Sequence, residues 1–222
     1  DIPEMILEIR RRLVVEKGQP IALKAIFSVV NNRKMFHAML RTASIGGKPF
    51  TKGNYIRHLP LFLSDLTEGR SLPAIASVPF RDEFKKIKQP KCDEKIAFYS
   101  GCLIDFAYPK MGIDLVKILN HAGYEVVYPQ DQTCCGAPAR YNGAYEVAAN
   151  NAVDNIKALL REDVKYVVSA CPTCTVALNH EFISTFESLG KTEHMEEAKK
   201  LADKTIDFSV LMKMLIDEGH IK

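Results

Sequence analysis

The chain has 222 residues, of which 47% are hydrophobic and 26% charged, and a formal net charge of +3. That length buries a core without disulfide staples, and the scattered basic residues mark neither a nucleic-acid site nor a surface for acidic membranes. No apolar run reaches membrane-spanning length and no signal-peptide pattern is read at the start. A soluble intracellular protein is therefore the expectation, in which six cysteines read as metal ligands or redox thiols rather than as a disulfide framework.

In chain order, the opening DIPEMILEIRRRLVVEKG reads as a helix with Asp1 as cap and Pro3 in the first turn. Ile2, Met5, Ile6, Ile9, Leu13 and Val14 fall at helical spacing. With no initiator methionine, this start reads as a piece of something longer. GQPIALKAIFSVVNNRKMFHAMLRTAS predicts one or two more helices, with the Met and Phe residues of KMFHAML in the core. From IGGKPFTKGNYIRHLPLF to SLPAIASVPFRDEFKKIKQPK the Gly and Pro content rises and periodicity fades, which predicts a long connection over a surface. A boundary near residue 90 then divides the chain into 1–90, helices plus connection, and 91–222.

Beyond that boundary strands alternate with helices. KIAFYSG, YEVVYP, KYVVSA and TIDFS read as strands; PKMGIDLVKILNHAG, GAYEVAANNAVDNIKALLRED, TVALNHEFISTFESLG, TEHMEEAKKLAD and VLMKMLIDEG read as helices. Strands joined by helix-length crossovers make right-handed parallel βαβ units. The fold class is α/β, a parallel doubly wound (Rossmann-like) sheet preceded by an α-helical segment.

Five cysteines fall just past strand ends: Cys102 after KIAFYSG, Cys134 and Cys135 after YEVVYPQDQT, Cys171 and Cys174 after KYVVSA. In an open parallel sheet those ends share one edge, where ligands bind, so the five thiols are expected to converge in one crevice. The vicinal pair in DQTCCGAPARYNG needs an irregular turn to face one partner, and Gly136 and Pro138 supply it. Cys92, in QPKCDEK, precedes the first strand and belongs to the opposite edge as a bystander.

Three kinds of site use such thiols. Zinc needs four ligands in a closed tetrahedron, and here there is one true C-x-x-C, one C-C and one single cysteine. Iron–sulfur clusters are held by thiolates at wide separations; helix N-termini after the strands and Arg140 beside the pair favour their negative charge. A dithiol oxidoreductase through Cys171 and Cys174 is the third, since CPTC at a strand-to-helix junction suits it, though it leaves Cys102, Cys134 and Cys135 unexplained.

The order Cys102, 31 intervening residues, Cys134-Cys135-Gly136, 34 intervening residues, Cys171-Pro172-Thr173-Cys174 resembles the cysteine-rich CCG domain of iron–sulfur oxidoreductases. That family includes the noncubane-cluster subunit of heterodisulfide reductase and the iron–sulfur subunits of glycolate oxidase, lactate-utilisation systems and anaerobic glycerol-3-phosphate dehydrogenase. The resemblance covers residues 95 to 220 or so. It implies that Cys102, Cys134, Cys135, Cys171 and Cys174 hold a [4Fe-4S] cluster, noncubane in the heterodisulfide reductase relatives, and that the chain relays electrons or reduces a disulfide-type acceptor. Implied partners are a flavin dehydrogenase or a membrane or quinone subunit, with a cytoplasmic location, peripheral on the inner face of the membrane. Family members carry the cysteine-rich unit twice, and longer ones add a two-cluster ferredoxin module whose last helix DIPEMILEIRRRL resembles. A missing ferredoxin module, a missing second CCG repeat and an exposed apolar patch are the corresponding expectations.

The remaining candidates have plainer readings. His121 and His180 are expected on helices as solvated residues. Asp105 and Tyr108 either line the crevice beside Cys102 or, for Asp105, cap the next helix. The run Arg10 to Arg12 is a solvated face or a dock for an acidic partner.

Overall fold

The computed structural model describes residues 2–56, 71–161 and 163–220. Three helices come first, α1 (Ile2–Lys17), α2 (Ile21–Val30) and α3 (Arg33–Gly46). The Asn32 side chain caps α3 by accepting from the Met35 N–H at 3.1 Å; the expected cap of α1, Asp1, lies outside the described residues. Phe36 is buried as expected, but Met35 and Met39 are exposed, because α3 lies on the surface and turns only one face inward.

The connection is more ordered than its composition suggests. It holds β1 (Thr51–Lys52), β2 (Tyr55–Ile56) and β3 (Leu72–Pro73), an antiparallel sheet in that order, and α4 (Phe80–Phe84). Strands of two residues cannot show alternation, so sequence periodicity had nothing to report. Positions 57–70 of the connection lie outside the described residues.

The rest follows the expected alternation: β4 (Lys95–Tyr99), α5 (Gly101–Phe106), α6 (Pro109–His121), β5 (Glu125–Val127), α7 (Ala137–Tyr141), α8 (Tyr145–Leu159) and β6 (Tyr166–Ser169). Then come α9 (Pro172–Val176), a π turn (Ala177–Glu181), α10 (Phe182–Leu189), α11 (Met195–Lys204), β7 (Thr205–Asp207) and α12 (Phe208–Asp217). All pairs in this second sheet are parallel and its order is β5-β4-β6-β7. From β4 the chain goes to one side for β5 and to the other for β6 and β7, so the switch point lies between β4 and β6. Ligands of open α/β sheets bind beyond the carboxyl ends at such a point.

Side chains alternate across β4. Ala97 and Tyr99 enter a core with Ala149, Ala152, Phe182, Phe186 and Leu201; Ile96 and Phe98 enter another with Phe80, Leu115, Leu119 and Leu211. Phe80 meets Phe98 and Tyr128 edge-on at 5.5 and 5.1 Å between ring centroids, which docks α4 on the sheet. In contrast, α1 buries no residue completely. Its Ile2, Met5, Ile6, Ile9 and Leu13 are exposed, so the periodic stripe faces outward. No helix among the described residues is long and apolar enough to cross a membrane.

On α3, His37 packs on Phe106 at 5.3 Å between ring centroids. Burial, then the nearby Arg81, Arg33 and Arg41, lower its pKa to about 3. The unfolded chain therefore takes up this proton first, and the contribution is fully present above the ordinary histidine pKa of ~6.5. Stability falls as pH drops below that value and continues falling towards about 3. For a half-buried group screened by solvent the slope is well under the limiting ~1.4 kcal/mol per pH unit. Urea unfolding of the metal-free protein at pH 7 and pH 5 should show this loss, and His37→Gln should shrink it; an unchanged difference would rule His37 out as its source.

Candidate functional site

The site starts from three strand ends. Ser100 follows β4, and Gly101 and Cys102 open α5. After β5 the chain passes Gln132 and Thr133 to Cys134 and Cys135, and Gly136 turns it into α7. After β6, Cys171 is the first residue of the turn into α9 and Cys174 lies within it. All five thus sit at the carboxyl edge, while Cys92 precedes β4 at the opposite edge.

The thiols lie near enough to shift one another's titration, Cys102 with Cys134, Cys134 with Cys135, Cys135 with Cys174, and Cys174 with Cys171. Cys134, Cys135 and Cys174 are buried; Cys102 and Cys171 are partly accessible. Nearby backbone N–H groups pull thiols down as well: Gly136 acts on Cys134, Ala137 on Cys135, Thr173 and Cys174 on Cys171. Such donors favour the thiolate.

The shifts differ along the series. Cys134 and Cys174 pull Cys135 well down, and Cys174 with its N–H group and that of Thr173 brings Cys171 to about 6. The other three are raised: Cys102 by Cys134 and burial, Cys174 by Cys135, Cys171 and burial, and Cys134 to about 12, where Cys135 and burial outweigh the downward pull of Cys102. Five thiolates cannot coexist there without positive charge. With iron ions supplying that charge the donor set fits an iron–sulfur cluster, since thiolates ligate such clusters and N–H groups bond their sulfurs.

Two further observations bear on this fit. Among the described residues no three His, Cys, Asp or Glu side chains form a group placed to hold a single metal ion. Thr133 Oγ1 and Asn151 Nδ2 are buried without a hydrogen-bond partner. Thr133 adjoins Cys134, and Asn151 lies one turn from Asn155, which holds the same loop. The Thr133 hydroxyl, a buried unpaired group next to Cys134 in the chain, is one that an anionic cluster would satisfy.

A polar lattice holds the loops. Asn155 Oδ1 accepts from the Thr133 N–H at 2.9 Å and its Nδ2 donates to the Cys134 carbonyl at 2.9 Å. Gln132 ties the same loop to β4, accepting from the Ser100 N–H at 2.9 Å and donating to the Phe98 carbonyl at 3.0 Å. Tyr99 is fully buried, donates to the Thr133 carbonyl at 2.7 Å, and has its phenol pKa raised by burial and then by four of the cysteines. Its ring is the floor beneath the thiols. Sequence reading missed Tyr99, which looks like any inward strand residue. Asn151 and Asn155 gave a signal in hindsight: two amides four apart on the apolar face of a helix.

Arg140, beside the pair, is 2% exposed. It is ion-paired with Glu4 of α1 at 3.2 Å and Glu181 of the π turn at 3.5 Å, and stacks over Tyr145 at 5.4 Å. Asp105 borders the small space beside Cys102 and Cys134, but it is not a cap: it lies inside α5 and pairs with Arg81 at 2.6 Å. Tyr108 precedes α6 and lines a separate, larger cavity rather than the thiols. His121 and His180 are exposed, as their solvated reading expects. Arg10 donates to the Tyr141 carbonyl at 2.8 Å, and Arg11 and Arg12 pair with Glu8, so the arginine run is engaged within the chain.

Comparisons with known proteins agree with this geometry. Residues 96–179 match the CCG family, described as a cysteine-rich domain. An anaerobic glycerol-3-phosphate dehydrogenase subunit from Escherichia coli (strain K12) is 30% identical over 146 residues, covering 62% of this chain and 37% of that protein. Lactate utilization protein A 2 of Bacillus cereus (strain Q1) is 32% identical over 128 residues, 58% of this chain and 51% of that one. An uncharacterized iron-sulfur protein of Methanocaldococcus jannaschii is 32% identical over 170 residues, 72% and 33% respectively. The chain thus spans about half or less of these curated relatives. No solved structure matches it significantly. The matched stretch, residues 96–179, carries all five edge cysteines, so the part of the chain that is similar to the CCG cysteine-rich domain family is the part that holds the thiols.

Proposed function

We propose that this chain is the cluster-holding part of an iron–sulfur oxidoreductase subunit, with Cys102, Cys134, Cys135, Cys171 and Cys174 as ligands. The observation that carries the reading is the placement of five cysteines beyond the carboxyl ends of β4, β5 and β6, at the sheet's switch point. The relatives support it: one is named as an iron-sulfur protein and another as a dehydrogenase subunit. When bound, such a cluster supplies one-electron transfer at a potential set by its type, charge and hydrogen bonds to sulfur. The chain's own residues do the rest. Asn155 and Gln132 fix the vicinal pair, Tyr99 excludes water from below, and partly accessible Cys102 and Cys171 mark the side open to a donor or acceptor.

In finer detail, the cluster is of the [4Fe-4S] type, noncubane if all five thiolates ligate. Residues 91–222 form the cluster-binding unit and 1–90 the helical segment that braces it. A flavin dehydrogenase or a membrane subunit is the electron partner, met on the cytoplasmic side.

Anaerobic reconstitution tests the assignment. Replacing any of the five cysteines by Ser should lower bound iron and sulfide and alter the electron paramagnetic resonance signal, because each lost thiolate loosens the cluster; Cys92→Ser should change neither. Four essential cysteines and one dispensable would mean a cubane, five essential a noncubane cluster. The lowered pKa of Cys171 next to Cys174 favours a dithiol as second reading, and loss of activity without iron, confined to those two variants, would support that instead. Full iron in all five variants would overturn the ligand set.

A further inference from the structure

A sizeable cavity lies away from the thiols. About 950 Å³ in volume, it lies between the small antiparallel sheet and the first turns of α6, and it is of the size that small-molecule sites have. We propose that this cavity binds an organic anion with an apolar body, a carboxylate or phosphate ester whose hydrocarbon part lies along α6.

Four features of the walls lead there. The first is an apolar stripe on α6: Met111, Leu115 and Ile118, spaced i, i+4 and i+7, line the cavity, and Met111 and Ile118 are 45% and 41% exposed. Leu115 is buried in the core beneath, so the stripe adjoins the face that docks α6 on the sheet and widens it towards the cavity.

Small residues opposite make the second feature. Ala74, Ala76 and Ser77 form the facing wall and leave the space unfilled. Third, that wall is fixed on both sides. The Ala76 N–H donates to the Phe106 carbonyl at 2.7 Å, and the Ala74 N–H donates to the Asn54 carbonyl at 2.9 Å. A site that exists before its ligand arrives loses less on binding.

The fourth feature is charge. Lys48 and Lys110 stand at the rim, both exposed and neither in an ion pair among the described residues. The acidic residue at the cavity, Asp114, already faces Lys117 at 3.9 Å. Two free ammonium groups over an apolar trough select an anionic head and an apolar tail and disfavour a cation of the same length. Ala107 at the cavity's edge follows α5 directly, five residues after Cys102, so an occupant would touch the end of the helix that presents the first cysteine.

Binding to this cavity goes beyond the cluster assignment and does not depend on it. The test is titration of the full-length chain with 8-anilinonaphthalene-1-sulfonate, an aromatic body with an anionic group, followed by competition. Fluorescence should saturate at about one equivalent, decanoate should displace the probe, and decylammonium should not. Lys48→Glu combined with Lys110→Glu should weaken binding tenfold or more while leaving the unfolding midpoint and iron content unchanged, because both side chains are exposed. Ile9→Glu, which breaks the exposed stripe of α1, should leave binding intact. Equal displacement by the cation, or affinity unchanged by the two lysine reversals, would overturn the proposal; so would loss of binding in Ile9→Glu alone, which would move the probe to α1.

Discussion

Asp105→Ala should lower the free energy of unfolding by ~3–5 kcal/mol, the cost of leaving one partner of a buried ion pair alone. Asp105 is 1% exposed and Arg81 nearly as buried. Arg81 meets Asp105 through Nε at 2.7 Å, Nη2 at 2.6 Å and its own backbone N–H at 3.0 Å, so three groups are held by one carboxylate. Burial nevertheless outweighs the pull of Arg81 and leaves the Asp105 pKa raised. Desolvation therefore consumes most of the attraction. The pair adds little net stability while its breakage is costly, and this asymmetry yields a second expectation: Arg81→Met with Asp105→Leu should recover most of what Asp105→Ala loses. Urea unfolding of both variants measures it. A loss below ~1 kcal/mol in Asp105→Ala would show that water reaches the guanidinium.

Gly136→Ala should cost ~2–4 kcal/mol and lower iron retention as well. Gly136 has φ +81°, where an added Cβ costs ~1–2 kcal/mol, and that atom would lie 3.0 Å from Ala148 Cα and 3.2 Å from its carbonyl oxygen. Those contacts are backbone, which no rotamer change relieves, so overpacking adds ~1–2 kcal/mol. Gly190 provides the control. It has φ +68° with nothing within 4 Å of a Cβ, so Gly190→Ala should show the conformational cost alone. Equal destabilisation of the two variants would mean that α8 yields and that the vicinal pair is not pinned from behind.

The strands and long helices of residues 91–220 could be read from the chain because their signals are local. KIAFY and YVVS are β-rich runs ended by turns, and α6 and α8 are long enough to show a helical period. Strand ends then placed five cysteines on one edge without any knowledge of contacts. What stayed hidden depends on distance along the chain or on brevity. Asp105 pairs with Arg81 across 24 positions, and α5 and α7, six and five residues long, are shorter than any usable period. The stripe of α1 was visible, but periodicity reports that a helix has two faces and not which one meets the protein.

That inverted helix has a consequence for how the molecule comes apart. An amphipathic helix ordinarily resists removal because its apolar side must be wetted. Here the side towards the body is held by polar links, Glu4 to Arg140 and Arg10 to the Tyr141 carbonyl, with Leu7 and Val14 only half-buried, and the apolar side is wet already. Lifting α1 exposes little new hydrocarbon, so its departure belongs to the low-energy openings that precede global unfolding. What it does uncover is Arg140, in the helix α7 that follows the vicinal cysteines. Ionic strength, which leaves apolar cores largely alone, screens the exposed Glu4 end of that link, and added salt should therefore ease the release of α1 from α7.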